Sequence, residues 1–147
     1  MTEESVRTLV EPYILATGGL IQALRRLMNE FGYIDPKHIP VVAEVFNISK
    51  AEVRGVISFY HDFRTHLPAR TRIRICQAEA CQALGARKLT QKIESRFNLR
   101  LGNMSDDRSI ELDPVYCLGL CSVGPSLQVN DRLIARGSID SIEGIEK

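Results

Sequence analysis

Cys76, Cys81, Cys117 and Cys121 are the only cysteines in this 147-residue chain, and they fall into two pairs. Four residues separate the first two, three separate the second two, and 35 lie between the pairs. Neither pair has the Cys-x-x-Cys spacing of a thiol-exchange site. Structural disulfides need an oxidising compartment, and the opening MTEESVRTLV carries acidic residues where a secretory leader carries basic ones. A reducing cytoplasm is therefore expected, where four thiolates point to metal or redox chemistry. An iron-sulfur cluster of the 2Fe-2S type takes four thiolates, and so does a structural zinc ion, whose pairs are commonly two to four residues apart. Spacing alone does not choose between them.

The residues around the pairs bear on that chemistry. Gly119 and Gly124 let the backbone approach closely and offer amides to cluster sulfurs, which stabilises the charge added on reduction. Val115, Leu118, Leu120, Val123 and Leu127 are expected to restrict water, and burial of an anion favours the oxidised state. A four-thiolate 2Fe-2S centre in such surroundings is a low-potential carrier, on the order of −400 mV.

The elements that hold these residues follow from periodicity. RIRIC alternates, with Ile73 and Ile75 facing one way and Arg72 and Arg74 the other, and predicts a strand ending at the first cysteine. ACQALGARKLTQKIESRFNL then places Leu84, Leu89, Ile93 and Phe97 on one helix. IELDPVY, SLQVN and RLIARG read as strands, the last two joined by a turn at Asn130-Asp131, and Ser138 caps a short closing helix. Strand, helix, strand, hairpin, helix describes a small α/β sandwich.

The first seventy residues have helical periodicity instead. Leu20, Leu24, Leu27, Met28 and Phe31 form one apolar face. A shorter helix precedes it, disturbed at Pro12 and expected to stop at Gly18 and Gly19. HIPVVAEVF is a third helix ending near Asn47, and Ser49 with Glu52 has the spacing of a capping box that opens a fourth, from Lys50 to about Tyr60. The fold class is thus α+β, with a helical bundle over residues 1–69 and an α/β domain over 70–147, hinged at PARTR.

Charge excludes several functions. The net charge is +1, with eight basic and eight acidic residues through Arg70 and eleven and ten after it, so no nucleic-acid footprint is present. No apolar run reaches bilayer length, and no membrane insertion is expected. The third and fourth helices could imitate a helix-turn-helix, which makes an iron-sulfur or zinc DNA-binding regulator the rival of another class, but only Lys50 and Arg54 would arm the second helix. There is no nucleophile-base pair, phosphate loop or paired-carboxylate arrangement, so catalysis by this chain alone is not expected. His61 and His66 are assigned to surface or hinge packing, Phe59, Tyr60 and Phe63 to core or partner contacts, and Asp106 and Asp107 to solvent.

EFGYI, HIPVVAEVFNISKAEVRGVISFYHDF, CQAEACQALGA and CLGLCSVGPSLQVND together make the chain resemble the NuoE-type subunit of complex I and its soluble relatives, the thioredoxin-like 2Fe-2S ferredoxins. The resemblance implies Cys76, Cys81, Cys117 and Cys121 as ligands of one 2Fe-2S cluster on a thioredoxin-like domain behind a helical bundle. It also implies a NuoF-like partner that binds FMN and NAD and holds a 4Fe-4S cluster. That partner could belong to complex I (NADH:quinone oxidoreductase), an NAD-linked hydrogenase or a soluble NAD-dependent formate dehydrogenase. The helical motifs and the short N-terminus look most similar to the gamma subunit of formate dehydrogenase.

Overall fold

The computed structural model describes residues 2–145, which divide into two compact units, one running through Pro68 and the other beginning at Ala69. In the first, helices α1 (Glu3–Val10), α2 (Gly19–Phe31), α3 (Ile39–Phe46) and α4 (Lys50–Phe59) enclose a core that includes Val6, Val10, Leu24, Leu27, Val42, Val53 and Ile57. The Ser49 hydroxyl accepts from the Glu52 amide while the Glu52 carboxylate accepts from Ser49, the reciprocal cap that starts α4. Asn47 ends α3 in the left-handed conformation. One boundary differs from expectation. The first helix ends at Val10 and runs into a 3-10 turn over Glu11–Tyr13, so Pro12 rather than the glycines closes it, and Gly19 begins α2.

The second unit is a four-stranded sheet with a helix packed on one face. Strands β1 (Thr71–Cys76), β2 (Ile110–Val115), β3 (Leu127–Val129) and β4 (Arg132–Ile134) lie in the order β2-β1-β3-β4. β1 is parallel to β2 and antiparallel to β3, which forms a hairpin with β4. Ile73, Ile75, Ile110, Leu112 and Leu127 turn inward against Leu89, Ile93 and Phe97. Arg72 lies on the other face of β1, where its Nε donates to Asp113 at 2.6 Å.

The helix expected after β1 is broken in two. α5 (Glu79–Ala83) and α6 (Ala86–Phe97) are separated at Gly85, whose φ of 98° only glycine adopts readily. The break turns Leu84 off the core face, where it is half exposed. The closing helix is a single 3-10 turn over Ile139–Ile142 behind Ser138, and Glu146 and Lys147 lie outside the described residues.

Asp107 is not a merely solvated side chain. Its Oδ1 accepts from the Ser105 hydroxyl at 2.7 Å, the Ser109 amide at 3.0 Å and the Ser109 hydroxyl at 2.8 Å, tying the turn that leads into β2. These donors, the Ser105 hydroxyl foremost, lower its pKa to about 2. A carboxyl depressed from about 3.9 in the unfolded chain adds stability above that value and loses it as pH falls toward the folded one. Asp107→Asn keeps an acceptor but removes the charge, and should lower the denaturation midpoint at pH 7. The gap from wild type should begin to close below about pH 4. A gap that stayed constant from neutrality to pH 3 would show that the charge contributes nothing.

Candidate metal centre

The parallel β1-β2 register sets Cys76, the last residue of the central strand, level with Val115. Cys117 therefore lies two residues beyond the end of β2, on the flank of Cys76. On the other flank the Cys76 amide donates to the Ser126 carbonyl at 3.1 Å, just ahead of β3. Cys81 returns to the same place from α5, and Cys121 opens a 3-10 turn over Cys121–Val123. All four thiols thus converge at one end of the sheet. Loop geometry was expected for each pair, yet Cys81 sits on a short helix whose first turn follows Ala78 directly.

The two pairs occupy different environments. Cys76 and Cys81 are buried with Ala86, and Ala78, Val115 and Leu118 pack against them. Cys117 and Cys121 are exposed, with their sulfurs 3.4 Å apart. The apolar shell read from sequence therefore encloses only the first pair. Burial pushes the Cys76 thiol up, but the Ala78 amide, the Cys81 thiol, the Cys117 amide and the Ser126 hydroxyl outweigh it, and the net direction is down. Cys121 moves up, because its neighbour Cys117 comes first as hydrogen-bond partner and as like charge, followed by burial and the charges of Cys81 and Cys76. Bringing four thiolates together is unfavourable without a cation to neutralise them.

The backbone is shaped around these sulfurs. Cys117 holds φ at 98°, a conformation L residues rarely adopt and one that costs about 1–3 kcal/mol. In that turn the Gly119 amide donates to the Cys117 sulfur at 3.3 Å. Gly124 passes so close to Cys81 that an added Cβ would lie 3.2 Å from its sulfur and 3.0 Å from Leu84. Both glycines thus act as their positions suggest, one by its amide and one by its missing side chain.

The donor set fits a two-iron centre. Two thiolates on one tetrahedral metal, with bonds of about 2.3 Å, sit ~3.7 Å apart, close to the Cys117-Cys121 separation. Among the described residues no three His, Cys, Asp or Glu side chains are placed around a single ion. The thiols instead come as two pairs, which suits two metals better than one. His61 and His66 are exposed side chains of the helical unit, and the Arg64 guanidinium lies 3.4 Å from the His66 ring. The residue that sequence reasoning overlooked is Ser126, whose hydroxyl lies 3.4 Å from the Cys81 sulfur. Its only signal was its place five residues after the last cysteine.

The pattern of one protein family, the thioredoxin-like 2Fe-2S ferredoxins, matches residues 6–146. The chain belongs to this family. Among other members, the NuoE-type chain of the NADH-quinone oxidoreductase of Aquifex aeolicus is 32% identical over 112 residues, which cover 76% of this chain and 70% of that one. The HndA chain of the NADP-reducing hydrogenase of Solidesulfovibrio fructosivorans is 27% identical over 116 residues, 79% of this chain and 68% of that one. These relatives bear out the NuoE-type resemblance. An air-oxidized NAD+-reducing NiFe-hydrogenase has a chain of similar fold, with a TM-score of 0.71 at 23% identity. The match covers 85% of this ferredoxin but only 21% of the hydrogenase chain, so this protein spans about a fifth of it. The likeness shows the thioredoxin-like fold.

Proposed function

We propose that this chain is the 2Fe-2S electron-transfer subunit of an NAD-dependent oxidoreductase complex, with Cys76, Cys81, Cys117 and Cys121 as cluster ligands. The observation that carries the reading is the convergence of two thiol pairs at one sheet end, one buried and one open to solvent. When bound, the cluster supplies a one-electron store. Cys76 and Cys81 anchor it to the sheet and α5, while Ala78, Val115 and Leu118 keep water from that side. The amides of Ala78, Cys117 and Gly119 face sulfur and offset its negative charge. Cys117 and Cys121, beside the exposed Tyr116, leave one edge open to a redox partner.

That partner is a NuoF-like subunit binding FMN and NAD and carrying 4Fe-4S, and the complex works in the cytoplasm. Among the described residues no helix is long and apolar enough to cross a membrane. The assembly we favour is a formate dehydrogenase, in which this chain is the gamma subunit; the relatives named above favour complex I or an NAD-linked hydrogenase as the second reading. Anaerobic reconstitution with iron and sulfide should give two irons per chain, as a 2Fe-2S ferredoxin requires, with visible charge-transfer absorption. Stoichiometric zinc without that absorption would overturn the assignment. Purification from the native host distinguishes the complexes: a molybdenum subunit accompanies formate dehydrogenase, and membrane subunits accompany complex I.

A further inference from the structure

Ser126 is 1% exposed, and its hydroxyl has no partner but sulfur. Its backbone is fixed by the bond from the Cys76 amide to its carbonyl, so the sheet, not a free loop, decides where the hydroxyl points. The oxygen lies 3.4 Å from the Cys81 sulfur and is also among the donors to Cys76 described above. In the free thiol either atom could give the proton. A metal-bound thiolate has no proton to give, so the direction becomes hydroxyl to sulfur. A buried hydroxyl that turned away would be left unsatisfied.

We propose that Ser126 is a positioning residue that sets the reduction potential of the centre, its hydroxyl donating to the Cys81 thiolate. The inference rests on the cluster assignment made above. Reduction places one more negative charge on the centre, and a hydrogen bond strengthens as its acceptor becomes more negative. The hydroxyl therefore stabilises the reduced state more than the oxidised one and raises the potential. Its action falls on the buried pair, whereas the exposed pair receives the Gly119 amide.

The test is a mediated redox titration, followed by EPR, of the reconstituted full chain and three variants. Ser126→Ala removes the donor. Ser126→Thr keeps the hydroxyl, and Ser126→Val matches threonine in volume without it. Ala and Val should each lower the reduced-to-oxidised ratio at a fixed potential about tenfold, a shift of about 59 mV for one electron. Thr should stay near wild type. Fully loaded Ala and Val variants with wild-type potentials would overturn the proposal. If Ala fails to retain iron, the comparison of Thr with Val decides. If Ala and Val both fail while Thr loads, the hydroxyl is needed for assembly and the tuning role is refuted. A wild-type chain that takes up zinc and no iron would instead sink the cluster assignment, so the two failures are distinguishable.

Discussion

Cys117→Ser abolishes or destabilises the cluster, whereas His61→Ala leaves it intact: this is the largest effect expected of a single substitution here. Serine keeps the shape of the side chain but replaces a readily ionised sulfur with a hydroxyl that stays protonated at neutral pH. The strained turn at Cys117 would persist with no ligand to hold. Disturbing an outer-shell partner of a metal site typically costs ~10–100-fold in affinity, and removing a ligand should exceed that. Iron and sulfide content, visible absorption and retention against a chelator measure the loss. Normal iron in Cys117→Ser would remove Cys117 from the ligand set. Because Cys117 is exposed, far-ultraviolet circular dichroism should stay unchanged, which separates loss of the centre from loss of the fold.

The second large effect is on stability. Ile75→Ala should lower the stability of the cluster-free chain by roughly 2–5 kcal/mol. Ile75 is fully buried on the central strand, opposite Pro114 on β2 and Leu127 on β3. Truncation loses transfer energy and leaves a cavity that strands held on both sides cannot close. Such a loss is a large share of the ~5–15 kcal/mol that holds a typical domain together. Leu133→Ala, at an exposed position of β4, should stay within about 0.5 kcal/mol. Urea denaturation of both variants is the measurement. A lower midpoint at unchanged slope is expected for Ile75→Ala, and equal midpoints for the two would show that the sheet core does not limit stability.

Much of this architecture was legible before any coordinates. Alternation in RIRIC marked β1, the spacing from Leu20 to Phe31 marked α2, and Ser49 with Glu52 marked the start of α4, because each is a local rule acting within a few residues. The misreadings came where a local signal could be met in two ways. Periodicity carried one helix through Gly85, since Leu84 is in phase with Leu89 and Ile93, but the left-handed glycine breaks the chain there and exposes Leu84. Asp107 looked like loop polarity, because the donors that capture it become neighbours only when the turn closes. The hydrophobic residues after Cys117 suggested a sealed centre, yet composition does not say which side of a loop faces water.

Residue type and spacing alone determined that four thiols are available in two pairs, that the chain is an α+β protein, and that no basic footprint or catalytic dyad accompanies them. Only the tertiary structure decided that the pairs meet. Pairing β1 parallel with β2 and antiparallel with β3 brings Cys117 to one flank of Cys76 and Ser126 to the other, across 41 and 50 positions of chain. Backbone ladders form between any strands with compatible faces, so strand order is not written in a local pattern; it follows from how the whole sheet buries Ile73, Ile75, Leu112 and Leu127 at once. That global choice makes one thiol pair dry and the other wet.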